Sequence, residues 1–284
     1  MDQNAPMPPL SRCAIHTITT KTWDLATAVD KYRGAGVGGI TVWRQALEGT
    51  TAKDAGELIR NAGLRVPALC RGGFFPATDA AGRQAAIDDN RRCIDDAAAL
   101  GADMVVLVCG AVPGMPLRDA RSMITEGIAA VAEQARQANV HLAIEPLHPQ
   151  YAADRSAVST MKQARRICEQ IDLRADDGAP VVGIACDVYH VWWDDALEAE
   201  IAIAGAKGYL HGFHVCDWKV QQTDPLNDRG LMGEGCIDIP GIRAWIDRAG
   251  FPGFYEVEVF SSRWWGSDQD AYLAAIVRAY EEKT

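Results

Sequence analysis

The feature of this 284-residue chain that most restricts its fold is an eightfold alternation of short apolar segments with longer amphipathic ones. The apolar segments are rich in Val, Ile and Leu, which is typical of parallel strands buried on both faces. They span residues 13–18, 39–43, 66–70, 104–109, 140–145, 181–187, 212–216 and 254–260. Segments with the helical period span residues 23–35, 53–62, 80–100, 117–139, 157–171, 196–204, 239–249 and 268–282.

Eight strands, each followed by a helix, predict an α/β fold of the (β/α)8 TIM-barrel type. A doubly wound open sheet is the alternative that the same alternation allows. No Pro/Ser-rich linker or charge block divides the chain, so we expect one barrel domain over residues 11–284. Residues 1–10 carry three prolines and no apolar period, which predicts a flexible N-terminal segment. Residues 34–39 match GxGxxG but end a helix and open a strand, so they do not indicate a dinucleotide site.

The composition excludes several classes of protein. A net charge of −10 makes nucleic acid an unfavourable partner. No run of about 18 apolar residues predicts a membrane span, and the N-terminus lacks the basic and apolar regions of a signal peptide. None of the eight cysteines forms a CxxC pair, and four of them lie in or at the end of apolar runs: Cys70, Cys109, Cys186 and Cys216. We therefore expect buried thiols and a cytoplasmic protein.

The residues that end the predicted strands indicate a metal centre. In TIM barrels the catalytic groups lie at the C-terminal ends of the strands. Strands five to eight each end in a residue of a metal-ligating type, namely Glu145, Asp187, His214 and Glu258. An unpaired charge at the end of an apolar run is costly to bury, whereas one divalent cation can hold all four side chains. Carboxylates with an imidazole favour Mn²⁺, with Mg²⁺ or Co²⁺ as alternatives.

The alternation of side chains along a strand refines this set. His211 and His214 differ by three positions, so we expect them on opposite faces of strand seven, with His214 nearer the mouth. Glu256 and Glu258 differ by two positions and share a face. Glu256 should therefore lie deeper in the barrel, where it needs a basic or hydroxyl partner.

Other residues near the strand ends are candidates for substrate binding. Aromatic rings suit the C–H faces of sugars, although they also pack loops over a barrel. Basic groups bind hydroxyl, carboxylate or phosphate groups, although they also solvate surfaces. The candidates of these two kinds are Trp43, Arg44, Arg71, Lys219 and Arg263. His148, three residues after Glu145, is a candidate second acid/base.

Four short segments at the ends of strands five to eight resemble the xylose isomerase-like, or sugar isomerase/epimerase, barrel superfamily. They are residues 145–149, 187–190, 214–217 and 257–260, and the resemblance extends over nearly the whole chain. Single-metal ketose 3-epimerases and inosose-processing enzymes of that superfamily have Glu, Asp, His and Glu after strands five to eight, which fall on the four candidate ligands. The resemblance also implies that His190, in a DxxH motif, binds substrate or supports the metal ligands.

The sequence departs from the epimerase pattern after strand seven. The loop reads Asp217-Trp218-Lys219, and Gly233-Glu234-Gly235 stands where an arginine-containing turn is common. The departure concerns the identity of the substrate rather than the metal. The superfamily also includes a three-zinc abasic-site endonuclease, but its additional histidines are missing at residues 43–44, 71–73, 109–110 and 228–230.

This pattern predicts an enzyme that abstracts a proton next to a carbonyl on a small sugar-like molecule. A metal that bridges the carbonyl and the adjacent hydroxyl stabilises the resulting enediolate. Glu145 and Glu258 on opposite sides of the substrate would give epimerisation, and one carboxylate shuttling a proton would give aldose–ketose isomerisation. The alternative is a lyase acting on a keto-inositol or 3-oxo-glycoside, with His148 as the acid. A catalytically inactive sugar-binding barrel is a third hypothesis, but none of the four ligands is lost. A homo-oligomer is compatible with this prediction.

Overall fold

The computed structural model describes residues 7–284, and eight parallel strands form a closed barrel in sequence order. Because β8 pairs with β1, the barrel prediction is confirmed and the open sheet is excluded. The strands are β1 (Cys13–His16), β2 (Gly39–Trp43), β3 (Ala68–Gly73), β4 (Met104–Val108), β5 (His141–Glu145), β6 (Val182–Asp187), β7 (Leu210–Val215) and β8 (Tyr255–Val257).

Helices follow the strands on the outside of the barrel. They are α1 (Leu25–Gly34), α2 (Ala52–Asn61), α3 (Ala80–Leu100), α4 (Leu117–Gln137), α5 (Met161–Ile171), α6 (Val188–Val191), α7 (Leu197–Ala206), α8 (Ile239–Arg248), α9 (Ser262–Trp265) and α10 (Gln269–Lys283). Several begin at a side-chain cap: Asp24 accepts a hydrogen bond from the Thr27 N–H, and Thr51 accepts one from Asp54. Such caps satisfy amide groups that the first helical turn leaves without partners.

The predicted boundaries differ from the structure near the mouth of the barrel. Strand β3 begins two residues later than predicted and continues to Gly73, so that Arg71 lies within it. Strand β8 ends at Val257, which leaves Glu258 directly after the strand. The short helices α6 and α9 were not predicted, because four residues are too few to show a helical period.

The barrel interior is apolar toward the N-terminal ends of the strands and polar toward their C-terminal ends. Apolar side chains fill its lower part and one side of the mouth, namely Trp43, Ala68, Cys70, Met104, Val106, Ala143 and Ala185. At the C-terminal end, charged and hydroxyl side chains replace them. A register shift between β6 and β7 interrupts the strict alternation along β7. His211 packs against the ring of His141 at 4.6 Å, at the opposite end of the barrel from His214.

Gly73 fixes the path of the chain where β3 reaches the mouth. Its φ angle is +107°, and a Cβ atom there would lie 1.9 Å from the Val108 carbonyl oxygen. The buried Asn90 side chain accepts a hydrogen bond from the Gly73 N–H and donates one to its carbonyl. Glycine is therefore required at this position, and Arg71, two residues earlier, is held by a rigid turn.

The structure also bears on the predictions for the N-terminal segment, for a membrane span and for the cysteines. Residues 1–6 of the predicted segment 1–10 lie outside the described residues, and Leu10–Arg12 form a short 3-10 helix. Within residues 7–284, no helix is long and apolar enough to cross a membrane. All eight cysteines are free thiols, and only Cys236 is exposed, so the four thiols predicted to be buried are buried.

Candidate active site

The four predicted metal ligands converge at the C-terminal mouth of the barrel. One ligand atom from each of Glu145, Asp187, His214 and Glu258 lies within 4.8 Å of the others. Asp187 and His214 are fully buried, and the two glutamates are only 4% and 3% exposed. Four consecutive strands therefore deliver their terminal side chains to one buried point.

The spacing of these atoms fits a shared divalent cation. His214 Nδ1 lies 2.9 Å from Glu145 Oε1, yet neither atom has a hydrogen-bond partner within residues 7–284. Two ligand atoms that are each about 2.1 Å from one ion, at right angles, lie about 3 Å apart. Buried polar atoms without partners are costly, and an ion between them would satisfy both.

A second buried layer supports the ligands from below. His16, at the end of β1, places Nδ1 3.1 Å from Glu258 and Nε2 3.4 Å from Glu256. Glu256 also accepts a hydrogen bond of 2.5 Å from the Thr41 hydroxyl. The expectation that Glu256 lies deeper and has a basic or hydroxyl partner is thus confirmed. His16 also forms a second possible ligand group with His214 and Glu258.

Arg229, from the loop after β7, enters the same cluster. Its Nη1 donates to Glu258 Oε2 at 2.9 Å and to Asp187 Oδ2 at 3.3 Å, and it is only 4% exposed. The guanidinium lies against the rings of Tyr189 at 4.2 Å and Phe260 at 4.8 Å. A buried guanidinium needs such charged partners, and the two aromatic faces fix its plane.

The pKa values of the buried side chains at the mouth indicate that this point favours positive charge. Burial lowers the pKa of His214, but Glu256 and Glu145 outweigh it and raise the value to about 9. His16 likewise has its pKa raised to about 9 by Glu258 and Glu256, against the effect of burial. Burial raises the pKa of Asp187 to about 7 despite the attraction of Arg229. Buried carboxylates that hold imidazoles protonated would also attract a divalent cation.

His190 lies beside the ligands. Its Nδ1 accepts a hydrogen bond from the His148 N–H at 3.2 Å, and its Nε2 lies 3.5 Å from Asp187 Oδ2. Burial and the nearby Arg229 hold the pKa of His190 well below its ordinary value, so the ring is neutral. Arg229 Nη2, which can only donate, lies 3.3 Å from the same Nε2, so this atom faces both a donor and the Asp187 carboxylate.

A cavity of about 220 Å³ lies above the cluster. Its apolar wall consists of Ile18, Trp43, Val108, Leu147, Leu226 and Phe260. Its charged and imidazole groups are Arg71, Glu145, Arg155, His190, Arg229 and Glu258. A larger cavity of about 410 Å³ shares Ile18, Trp43 and Gln45 with it but lies between α1 and α2, away from both ligand groups. The chemistry is therefore expected in the smaller cavity.

The structure separates the residues predicted to bind substrate. Trp43, Arg71 and His190 line the cavity. Arg44 instead forms an ion pair with Asp89 at 2.8 Å, outside the residues that line the cavity.

Lys219 and Arg263 also lie away from the cavity lining. Lys219 pairs with Asp228, and Arg263 is 64% exposed, with Glu234 3.9 Å away. The structure gives neither of them a contact with the cavity, so a role for them in substrate binding stays a prediction.

His148 does not line the cavity either. Its ring packs on Trp218 at 4.7 Å, and its Nδ1 accepts a hydrogen bond from the Gln150 N–H. Burial lowers its pKa, which leaves the ring neutral. The proposed acid/base role of His148 is therefore not supported by a direct contact with the cavity.

Two site residues were missed by the sequence reasoning. His16 ends the first apolar run, and the same strand-end rule that selected the four ligands would have selected it. Arg229 lies in a long loop, fourteen residues after β7 ends, and no periodicity marks it.

Comparisons with known proteins identify the family of this chain. A family model described as the xylose isomerase-like TIM barrel matches residues 29–281. The chain belongs to this family. A search of curated proteins gave no significant match.

Solved structures of this barrel agree. Protein SMc04130 from Sinorhizobium meliloti 1021 is 47% identical, with a TM-score of 0.91, over 97% of this chain and 99% of that one. The IolI protein, solved with a bound zinc atom, is 18% identical, with a TM-score of 0.81 over 94% and 96% of the chains. The 3-keto-D-glucoside 4-epimerase YcjR from E. coli is 16% identical, with a TM-score of 0.74 over 94% and 97%. The last two likenesses concern the fold alone.

Proposed function

We propose that this protein is a divalent-metal-dependent isomerase or epimerase of a sugar or keto-sugar, acting by proton abstraction next to a carbonyl. The observation that carries the proposal is the convergence of four buried ligand atoms within 4.8 Å beside a small cavity. At about 220 Å³ the cavity is smaller than a drug-sized pocket, which suits a single sugar unit. The IolI barrel, solved with a zinc atom, and the barrel of the 3-keto-D-glucoside 4-epimerase YcjR share only the fold, and they are consistent with a metal and with sugar chemistry, respectively, at this mouth.

Glu145, Asp187, His214 and Glu258 would hold the cation. When bound, it would supply Lewis acidity that stabilises negative charge on the oxygens of the substrate. We propose Mn²⁺ as the physiological ion, with Mg²⁺ or Co²⁺ as alternatives, because three of the four ligands are carboxylates.

Glu145 is the carboxylate best placed to take the proton. It lines the cavity, and its Oε1 lies 2.9 Å from one imidazole nitrogen, His214 Nδ1. Glu258 differs, because His16 and Arg229 contact its two oxygens and, against the effect of burial, hold its pKa well below the ordinary value. A carboxylate held so firmly in its ionised form is a weak base, so Glu258 is poorly suited to accept the proton.

The remaining cavity residues would orient the substrate. The neutral His190 ring lines the cavity beside Asp187 and Arg229, where it would contact a polar group of the substrate. Trp43 and Phe260 pack edge to face at 5.4 Å and give an apolar wall for the C–H face of a sugar. This wall also excludes water, which strengthens the electrostatic effect of the buried charges on the reacting atoms.

Deuterium exchange tests this proposal. Mn²⁺-loaded protein is incubated in D2O with D-fructose, D-tagatose and methyl 3-keto-D-glucoside, and deuterium next to the carbonyl is followed by NMR. We expect exchange or product formation with at least one class, and a loss of about 10²–10⁴ in rate in Glu145→Gln, the usual contribution of an acid/base group. Glu126→Gln, an exposed glutamate on α4, is the matched control and should keep the full rate.

Two results would contradict the proposal. Protein that binds one equivalent of Mn²⁺ but neither exchanges nor converts any of the three sugars, nor their 6-carboxylate and 6-phosphate forms, is not an enzyme of this kind. A Glu145→Gln variant with the wild-type rate would show that another group takes the proton.

A further inference from the structure

Arg71 presents an unusual charge to the catalytic cavity. Its Nη1 atom is buried and has no hydrogen-bond partner within residues 7–284. The guanidinium lies 4.5 Å from the centre of the Phe74 ring, and no carboxylate of the described chain is within ion-pair distance of it. Arg71 is half-buried, and burying part of a cation against an aromatic ring is costly, because a ring replaces little of the lost hydration.

A second arginine lines the same cavity. Arg155, from the loop after β5, has the ring of Tyr151 5.8 Å away and no ion pair among the described residues. Burial and, next, the positive charge of Arg155 both lower the pKa of Arg71. Two like charges are thus brought together, which the fold would avoid unless something of opposite charge came between them.

The carboxylates of the site do not neutralise this pair. Glu145 and Glu258 attract Arg71, but neither has an oxygen within 4.0 Å of it, and both belong to the ligand cluster. Arg229 differs, because Asp187 and Glu258 lie within 3.3 Å of its Nη1. The excess positive charge therefore lies on the β3 side of the cavity, away from the strands that carry most of the ligands.

We propose that Arg71 and Arg155 form an anion subsite, and that the sugar substrate carries a carboxylate or a phosphate group. The sugar part of this statement rests on the proposed function; the anion subsite itself does not. Guanidinium groups form paired, charge-assisted hydrogen bonds with both kinds of group. The anion would lie toward β3 while the carbonyl end of the same small molecule faces the ligand cluster.

The subsite is tested first without any sugar. Inorganic phosphate is titrated calorimetrically into Mn²⁺-loaded wild type, Arg71→Gln, Arg155→Gln and Arg65→Gln. Arg65 precedes β3 at the opposite end of the barrel and pairs with Asp103 on the surface, so its variant is the matched control. Phosphate that binds the metal would contribute equally in all four proteins. We expect about 10-fold weaker binding in each of the first two variants and no change in the third.

The substrate class is tested with three ketoses that differ at one carbon: D-fructose, D-fructuronate and D-fructose 6-phosphate. We expect one of the two anionic sugars to bind at least about 10-fold more tightly than D-fructose, and the preference to disappear in Arg71→Gln. The better of the two identifies carboxylate or phosphate as the group recognised. Arg71→Lys, which keeps the charge but not the paired geometry, should retain part of the preference.

The outcomes separate the two proposals. If phosphate affinity is the same within about twofold in wild type, Arg71→Gln and Arg155→Gln, the anion subsite is wrong, whatever the enzyme does. If phosphate binding depends on both arginines but no sugar undergoes exchange, the subsite stands and the proposed function fails. Equal binding of all three ketoses would refute the anionic substrate.

Discussion

Replacing Asp187 by Asn should make the metal-free protein more stable than wild type, and the metal-loaded protein less stable than wild type. Asp187 is fully buried, and burial raises its pKa from an ordinary 3.8 to about 7. A folded-state pKa above the unfolded value means that stability is greatest below about pH 4 and is lost as pH rises through about 7. At pH 8 the ionised carboxylate therefore destabilises the metal-free protein.

The magnitude follows from the shift. Three pKa units correspond to about 4 kcal/mol, which is the upper limit of the gain in Asp187→Asn. The amide loses the attraction to Arg229 Nη1 at 3.3 Å but can still accept the hydrogen bond from the Tyr189 N–H. We expect a net gain of about 2 kcal/mol at pH 8, which raises Tm by about 4 °C for a chain of this length.

Metal reverses the order. At a Mn²⁺ concentration 100 times Kd, wild type gains about 2.7 kcal/mol, or about 5 °C in Tm, whereas Asp187→Asn should gain almost nothing. The assay is calorimetry at pH 8, after chelation and again with added Mn²⁺, together with metal analysis of both proteins. A variant that keeps one equivalent of metal and the 5 °C rise would refute the assignment of Asp187. A chelated variant that unfolds well below wild type would refute the electrostatic reasoning.

Three further outcomes are expected. As the pH increases toward 9, metal affinity should rise by up to about tenfold per pH unit, because His214 must lose a proton before it binds the metal. Below pH 7 the rise should be steeper, because Asp187 must lose a proton as well. A constant affinity from pH 6 to 9 in a chelator competition would contradict this. Arg229→Met should destabilise the chelated protein by about 3 kcal/mol in urea, because two buried carboxylates lose their cation, and the loss should shrink with Mn²⁺; equal losses in both states would count against a shared charge cluster. His148→Ala should lower turnover less than about tenfold, since the ring packs on Trp218; a loss of about 10²–10⁴ with an unsaturated product would instead support the lyase.

The sequence was sufficient to predict the fold and the convergence of the four candidate ligands, for one physical reason. Strands buried on both faces are continuous apolar runs, so their ends are visible, and parallel strands of a barrel bring those ends to one rim. Glu145 and Asp187 end their strands in the structure as predicted. Glu258 follows β8 by one residue, which still leaves it at the mouth.

The contacts of basic residues could not be predicted in the same way. Arg44 and Arg71 both lie close to strand ends, yet one pairs with Asp89 and the other points into the cavity. The difference depends on the helix that packs beside each strand, and the sequence around each arginine does not reveal it. Arg229 depends on the path of a long loop, which has no period from which a position can be inferred.

The positions of Arg229 and Arg71 also explain how one cavity could both carry out a reaction and select its substrate. Arg229 is held between two ligand carboxylates and two aromatic rings, so its charge is committed to the protein. Arg71 is held by the rigid turn at Gly73 but has no such partner, so its charge is available to a ligand. A guanidinium that is fixed in place and unpaired loses little conformational entropy when an anion binds, and preorganisation of this kind favours recognition. The ligand cluster would thus determine the reaction, while the β3 side of the cavity would determine which sugar undergoes it.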